Sequence, residues 1–127
     1  MVKSEKKYIY PSLFTETFDD ANFHIKYCLS FIKKYLIGNI AEIGAGCGSF
    51  TRHFLDEKIT SLTLTEKDEK NVEILKSKYS DNKTVTVTRD SIFKINNKFD
   101  VVLYLHVLEH IKNDENEIKE ATQKIKN

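Results

Sequence analysis

Three glycines within five residues separate a short apolar segment from a helix-like one. Residues 39–43 predict a β-strand, Gly44, Gly46 and Gly48 follow it, and residues 49–58 predict a helix. Glycine allows a sharp backbone turn and a close approach to a ligand where a Cβ would collide. The N-terminus of the next helix offers unpaired N–H groups to a carboxylate or a phosphate. The sequence therefore predicts a strand–turn–helix unit whose turn binds a ligand.

Further strands and helices alternate along the chain. Residues 61–65, 84–88 and 99–105 predict strands, and residues 69–79 and 114–126 predict helices. Strands that alternate with helices need crossover connections, and these produce a parallel sheet. The last of the strands is an uninterrupted apolar run, which is typical of a strand buried on both faces. We therefore predict an α/β fold with a mostly parallel sheet.

The apolar residues of the helical segments predict which helix faces are buried. The first helix is expected to begin at Asp19 or Asp20 and to end at Gly38 as its C-terminal cap. The side chains expected to face the core are, helix by helix, Phe23, Tyr27, Phe31, Ile32 and Tyr35; Phe50, Phe54 and Leu55; and Val72, Ile74, Leu75 and Tyr79.

Length and composition predict one small domain. The chain has 127 residues, of which 40% are hydrophobic and 31% charged. We expect residues 1–38 to form a lead-in and a helix that packs on the sheet, and residues 39–127 to form the ligand-binding domain. Tyr8, Tyr10 and Phe14 in the lead-in would either close over the site as a lid or cover the first helix.

Charge and cysteine content argue against several classes of protein. Lys+Arg 20 against Asp+Glu 19 leaves a net charge of +1, which gives no electrostatic footprint for a nucleic-acid backbone. Cys28 and Cys47 match no metal-binding spacing, so we expect two free thiols in a reducing compartment. The longest apolar run, residues 101–105, is far shorter than the ~20 residues of a spanning helix. We expect a soluble, cytoplasmic protein with no membrane partner.

Acidic residues stand at the ends of two further strands. Glu66 follows the second strand, with Asp68 close behind it, and Asp90 follows the third. An acid after the second strand can accept hydrogen bonds from the two hydroxyls of a ribose. Asp90 is placed to accept one from an exocyclic amine such as that of adenine. Because the carboxyl ends of parallel strands share one edge, these residues and the glycine turn outline a site for adenosine.

Four segments, in order, resemble the motifs of class I S-adenosylmethionine-dependent methyltransferases. Glu42-Ile-Gly-Ala-Gly-Cys-Gly48 is similar to their first motif, Glu66 to the acid after the second strand, and Asp90 to the acid after the third. Residues 99–111, Phe-Asp-Val-Val-Leu-Tyr-Leu-His-Val-Leu-Glu-His-Ile, resemble the fourth-strand motif of the small-molecule branch. That branch includes the ubiquinone and menaquinone methyltransferases. The resemblance implies a Rossmann-like sheet and methyl transfer to a small-molecule or carrier-bound acceptor.

The resemblance also implies a role for individual residues. Gly44 and Gly46 would lie against the methionine part of S-adenosylmethionine, and the product would be S-adenosylhomocysteine. Glu66 would hold the ribose. The full set of cofactor-binding residues implied by the family motifs is Glu42, Gly44, Ala45, Gly46, Gly48, Glu66, Lys67 beside the adenine, Asp90 and Ser91 at the adenine edge, and Leu105 and His106 beside the sulfonium.

His106 is the candidate catalytic residue. Methyl transfer is an in-line displacement in which alignment supplies much of the rate. A general base is needed only when the acceptor must lose a proton to become nucleophilic. His106, just after the fourth strand, would either accept that proton or pack beside the cofactor without taking one. His110 and Glu109 are expected to be structural, and no metal site is predicted.

Two other nucleotide-binding families fit the sequence less well. Nicotinamide-binding Rossmann domains use Gly-x-Gly-x-x-Gly, whereas this turn is Gly-x-Gly-x-Gly with Glu42 before it. Methylases of nucleic-acid adenines carry an Asn or Asp and a Pro-Tyr-type pair after the fourth strand to hold a flipped base. Residues 105–108 here are Leu-His-Val-Leu, so a nucleic-acid base is a disfavoured acceptor.

The motifs account for four of the seven strands of the family. In the family the fourth strand lies between the first and the fifth, and no fifth-strand motif follows residues 114–126. Residues 101–105 would then form an apolar edge that can pair with another chain. We therefore expect a truncated domain, self-association through this edge, and, as an alternative to an enzyme, a cofactor-binding module without independent catalysis.

Overall fold

The structure, a computed structural model, describes the backbone of residues 19–127 and the side chains of residues 22–127. The predictions for Tyr8, Tyr10 and Phe14 lie outside these residues. The helices are α1 (Asp19–Ser30), α2 (Thr51–Phe54), α3 (Glu69–Lys78) and α4 (Asp114–Gln123), and the strands are β1 (Gly38–Ile43), β2 (Ile59–Thr65), β3 (Val85–Thr88) and β4 (Val101–Tyr104). Short 3-10 turns cover Lys33–Tyr35 and Leu108–His110.

The four strands form one parallel sheet in the order β3-β2-β1-β4. The α/β prediction and the Rossmann-like strand order are therefore confirmed. Ile43 pairs with Thr65 on one side and with Tyr104 on the other, and Thr65 pairs with Thr88. The four strands thus end in register, so the loops that follow them start side by side at one edge of the sheet.

Side chains on the two faces of the sheet pack in two separate cores. Because successive strand residues point to opposite faces, Ile40 faces one core and Ala41 the other. One core joins the sheet to α1, α2 and α3 through Leu29, Phe54 and Leu75 among others. The other joins it to α4 and the loop before β4, with its buried residues being Ala41, Ile43, Ile92, Ile95, Phe99 and Ala121.

The buried face of α1 differs from the predicted one. Ile25 and Leu29 are buried, and Ile32 packs partly against them. The other four side chains expected inside are exposed, with exposed fractions of 73% for Phe23, 56% for Tyr27, 60% for Phe31 and 60% for Tyr35. α1 carries two apolar stripes at helical spacing, and the smaller aliphatic one packs on the sheet.

The predicted ends of three helices were wrong, and α4 ends at Gln123 rather than at Lys126. α1 ends at Ser30, and Gly38 begins β1 with φ 89° instead of capping the helix. α2 ends at Phe54 rather than near Lys58 because Asp56 forms a turn: its side chain accepts from the Lys58 N–H at 2.9 Å. In α3, Val72 and Leu75 are buried as expected, whereas Ile74 is exposed.

A residue just before β4 pairs with residues that follow α4. Phe99 and Ile125 form a parallel bridge, in which the Phe99 N–H donates to Lys124 O at 2.8 Å and the Lys126 N–H donates to Phe99 O at 2.9 Å. Among the described residues no partner strand continues along Val101–Tyr104. Self-association through this edge stays a prediction. None of the helices in residues 19–127 is long and apolar enough to cross a membrane.

Candidate functional site

The glycine turn is fastened to the end of β2 by three hydrogen bonds. The Gly44 N–H donates to Thr65 Oγ1 at 3.2 Å, and the Ala45 N–H donates to Thr65 O at 2.9 Å. The Gly46 N–H donates to Glu66 Oε2 at 2.6 Å. The turn is therefore held by backbone and side-chain atoms of Thr65, the last residue of β2, and by the side chain of Glu66 after it.

Gly44 and Gly46 share a positive φ but differ in what surrounds them. Both have positive φ, 70° and 59°. A Cβ on Gly44 would meet Val107 Cγ2 at 2.8 Å, so this residue packs directly against the loop after β4. A Cβ on Gly46 would meet nothing within 4 Å. The backbone at Gly46 therefore faces open space that a ligand can occupy.

The Glu66 carboxylate is held in place by three backbone N–H groups. Besides the bond from Gly46, Oε1 accepts from the N–H of Lys67 at 2.8 Å and of Asp68 at 3.0 Å. A carboxylate has about four acceptor sites, so a ligand hydroxyl can still reach this group. Asp68 then begins α3 as its N-cap, with its side chain accepting from the Asn71 N–H at 3.0 Å.

Asp90 and Ser91 lie at the neighbouring end of β3. The Asp90 N–H donates to Thr88 Oγ1 at 3.1 Å, and the Asp90 side chain is exposed. The buried side chain of Ile92 anchors the same loop in the core. Arg89 Nη2 donates to Lys67 O at 3.1 Å, which ties this loop to the one after β2. The sheet thus brings together the two acidic positions that the sequence predicted.

His106 stands on the other side of the glycine turn, in the loop after β4. Its φ of 56° makes it the one described residue other than glycine in the left-handed region. Its exposed ring lies near those of Phe50, at 5.6 Å between centroids, and His24, at 5.7 Å. Leu105 before it packs against the core beneath. His106 and Leu105 therefore lie next to Val107, the residue that packs against Gly44.

Glu42 and Gly48 lie in the interior beneath the turn. Glu42 is only 2% exposed, and Thr51 Oγ1 donates to its Oε2 at 2.5 Å. Burial raises the pKa of Glu42 to about 7, although the bond from Thr51 acts in the opposite direction. Gly48 is buried against Leu75, and the nearby Tyr79 hydroxyl has no hydrogen-bond partner within the described structure. This buried polar cluster supports the turn from below.

Alanine substitutions at the two glycines should have different consequences. Gly44→Ala introduces left-handed strain and a collision with Val107, so we expect a loss of about 2 kcal/mol in the free energy of unfolding. Gly46→Ala introduces only the strain, about 1 kcal/mol, but fills the space in front of the turn. Urea unfolding of both variants measures the difference. Equal losses would contradict the close approach of Gly44 to Val107.

Several residues that shape the site were not found from the sequence. Thr65 accepts a hydrogen bond from the glycine turn, and Thr51 donates one to Glu42. Arg89 joins the loops that follow β2 and β3. Isolated threonines in an alternating strand or a helix carry no distinctive signal. The position of Thr65, directly before an acidic residue at a strand end, is the one hint the sequence contains.

The family of the chain is shown by a family model that covers most of it. Residues 41–127 match a family described as a methyltransferase domain. The chain therefore belongs to this methyltransferase family, in agreement with the motifs at Glu42, Glu66 and Asp90. A comparison with curated proteins finds no match.

Solved structures share the fold. The YcgJ protein of Bacillus subtilis is 15% identical, with a TM-score of 0.67, over 80% of this chain and 47% of its own. A magnesium protoporphyrin IX methyltransferase from Synechocystis PCC 6803, with bound S-adenosylmethionine, is 18% identical, with a TM-score of 0.66, over 83% and 54%. An S-adenosylmethionine-dependent methyltransferase from Clostridium acetobutylicum ATCC 824 is 19% identical, with a TM-score of 0.64, over 93% and 51%. The chain spans about half the length of these proteins.

Proposed function

We propose that this chain binds S-adenosylmethionine at the carboxyl edge of its sheet and takes part in methyl transfer to a small-molecule or carrier-bound acceptor. The observation that carries the proposal is the Glu66 carboxylate beside the open face of Gly46, with Asp90 at the next strand end. S-adenosylmethionine is bound in the structure of a neighbour from Synechocystis PCC 6803.

The residues at this edge fit such a cofactor. The open space in front of Gly46 would admit the methionine part without a collision with a side chain. Glu66, whose carboxylate is already fixed by three backbone N–H groups, would accept from one ribose hydroxyl at its remaining acceptor site. Lys67 and the exposed Asp90, with Ser91 after it, would contact the adenine. The buried Glu42 and Gly48 would act indirectly, because they hold the turn from below.

The cofactor supplies an electrophilic methyl group on a sulfonium, and the chain supplies alignment. Leu105 and His106 border the turn on the side away from the two acids, so the acceptor would approach there. If the acceptor is an O–H or N–H group, transfer of the methyl group releases one proton. The exposed His106 ring would accept that proton at a ring nitrogen.

Net charge, structural neighbours and cysteine state bear on the class of methyl acceptor and on the cellular location of the protein. A net charge of +1 on 127 residues favours a small acceptor over a nucleic acid. A glycopeptide N-methyltransferase and a coclaurine N-methyltransferase are among the structural neighbours, at 18% and 17% identity. Cys28 and Cys47 form no disulfide in the described part of the chain, which supports a cytoplasmic location.

Isothermal titration of the 127-residue chain with S-adenosylhomocysteine, with NADH in parallel, tests this function. We expect binding of S-adenosylhomocysteine at one site and none of NADH. Binding of NADH alone would replace the proposal with nicotinamide binding, and binding of neither by folded protein would overturn it.

Turnover then distinguishes an enzyme from a binding module. S-adenosylmethionine is incubated with the chain and a panel of small phenols, amines and carboxylic acids, and release of S-adenosylhomocysteine is measured. Release that depends on one acceptor class supports an enzyme. Cofactor binding with no release across the panel supports a module that binds without catalysing.

A further inference from the structure

Three potential metal ligands meet beside the glycine turn, on elements far apart in the sequence. His24 and Cys28 lie one turn apart on α1, and His106 comes from the loop after β4. Their ligand atoms all lie within 4.8 Å of one another. Among residues 22–127 this is the one group of three or more His, Cys, Asp or Glu side chains with that geometry.

The distances agree with a tetrahedral zinc site. With Zn–S of about 2.3 Å and Zn–N of about 2.0 Å, two ligands of a tetrahedral ion stand roughly 3.5 Å apart. Cys28 Sγ and His24 Nε2 are 3.6 Å apart. No two ligand atoms in the cluster are more than 4.8 Å apart, so side-chain movements of about 1 Å would complete the set.

The surroundings favour ligation by His106 over accidental proximity. Its backbone is in the left-handed region, with φ 56°, and its ring centroid lies 5.7 Å from that of His24 on α1. Residues other than glycine in this region cost free energy, and they cluster at active sites and ligand-binding positions. Phe50 packs on the ring at 5.6 Å between centroids, which restricts its movement.

We propose that His24, Cys28 and His106 bind one Zn²⁺ ion. One thiolate and two neutral imidazoles are the ligands that zinc prefers, and hard cations such as Mg²⁺ and Ca²⁺ prefer oxygen. Three protein ligands leave the fourth position for water or another small ligand, as in catalytic zinc sites. The proposal rests on the cluster alone and does not depend on cofactor binding.

A zinc ion here would change the role of His106. A ring nitrogen that binds the metal cannot accept the proton of an acceptor, so zinc binding and general-base action by that nitrogen exclude each other. The ion would instead lie at the side of the turn where the proposed function places the acceptor. It would then favour acceptors with a thiol, imidazole or deprotonated hydroxyl that can take the fourth position.

Metal binding is tested on the 127-residue chain without any cofactor. Zn²⁺ affinity is measured by competition with a chromophoric chelator, and Co²⁺ is used as a spectroscopic probe. We expect one ion per chain and, with Co²⁺, a thiolate-to-metal band in the near ultraviolet with visible absorption typical of tetrahedral coordination. Failure of folded protein to bind either ion, or octahedral Co²⁺ without the thiolate band, would overturn the proposal.

Matched variants locate the site. Cys28→Ser should abolish the thiolate band, and His24→Gln and His106→Gln should each weaken Zn²⁺ binding at least about tenfold. Cys47→Ser and His110→Gln, which change the same residue types elsewhere, should leave affinity unchanged. Circular dichroism of each variant confirms folding. Loss of binding in a control variant, or its retention in Cys28→Ser, would contradict the assignment.

Discussion

At pH 8, Glu42→Gln should be more stable than the unsubstituted protein by about 3 kcal/mol. The Glu42 carboxyl is buried, and burial raises its pKa from 4.5 to about 7. At pH 8 the folded protein must therefore keep a negative charge in its interior. The hydrogen bond from Thr51 offsets only part of the free-energy cost of burying that charge. Glutamine has nearly the same shape, can keep a bond to Thr51 and carries no charge.

The advantage of the variant should disappear at acid pH. Because the pKa of Glu42 is higher in the folded state, folded protein binds more protons than unfolded protein between about pH 4.5 and pH 7. The stabilising contribution of neutral Glu42 is complete below that window and is lost as the pH rises through it. The difference between variant and unsubstituted protein should thus be close to zero at pH 4 and largest above pH 7.

Urea unfolding at pH 4, 6 and 8 measures this difference. Glu57→Gln is the matched control, because it makes the same change at an exposed residue. Its stability relative to the unsubstituted protein should change little with pH. If Glu42→Gln followed the control at every pH, Glu42 would be ionised without penalty, and its burial beneath the turn would be wrong.

Glu66→Gln should weaken S-adenosylhomocysteine binding by roughly 10- to 100-fold. A hydrogen bond to a charged group contributes about 1.5–3 kcal/mol, and each 1.4 kcal/mol corresponds to a factor of ten. The glutamine amide keeps one acceptor oxygen and replaces the other with a donor. It therefore cannot accept from the Gly46 N–H, the N–H groups of Lys67 and Asp68 and a ribose hydroxyl together.

Glu69→Gln is the control for this effect. Glu69 is exposed in the first turn of α3, three residues away, and its substitution removes the same charge. We expect the affinity of this variant for S-adenosylhomocysteine, measured by isothermal titration, to stay within about twofold of that of the unsubstituted protein. Thermal unfolding of Glu66→Gln and of the unsubstituted protein is also compared without ligand. A lower unfolding temperature of the variant would indicate a damaged turn, and an unchanged one a lost contact with the ligand. Unchanged affinity in Glu66→Gln would show that this carboxylate does not hold the ribose.

The sheet, and the placement of two acidic residues at its carboxyl edge, were predictable because their signals are local. The strands around Ile40, Leu62, Val87 and Leu103 show the apolar runs or alternation of a parallel sheet, and their order follows from the family resemblance. Glu66 and Asp90 come directly after strands, and parallel strands end at a common edge. The positions of both acids therefore followed from chain order alone.

The face of α1 could not be predicted because two apolar stripes compete for it. Phe23, Tyr27 and Phe31 give the stronger hydrophobic signal, but Ile25 and Leu29 are the ones buried against the sheet. The helical spacing of apolar residues identifies an apolar stripe on a helix, but it does not show which stripe packs against the sheet. The packing of neighbouring elements decides between two stripes, and that is a tertiary property.

The buried residues beneath the glycine turn could not be predicted, because their contacts also depend on tertiary packing. Glu42 was expected to contact the cofactor, and its motif does not distinguish direct contact from burial beneath the turn. In the structure it bonds Thr51, nine residues later, because β1 and α2 pack together. The cluster of His24, Cys28 and His106 was equally invisible, since it combines a helix and a loop about 80 residues apart.

The most direct test of the proposed cofactor site is a titration of isotopically labelled protein with S-adenosylhomocysteine, followed through its backbone amide signals. We expect the largest shifts at Gly46, Glu66, Lys67, Asp90 and Ser91, which lie together only at the carboxyl edge of the sheet. The amides of α4 on the opposite core should change little. Shifts confined to α4 or to the exposed stripe of α1, or no shifts at saturating ligand, would contradict the placement of the cofactor at this edge.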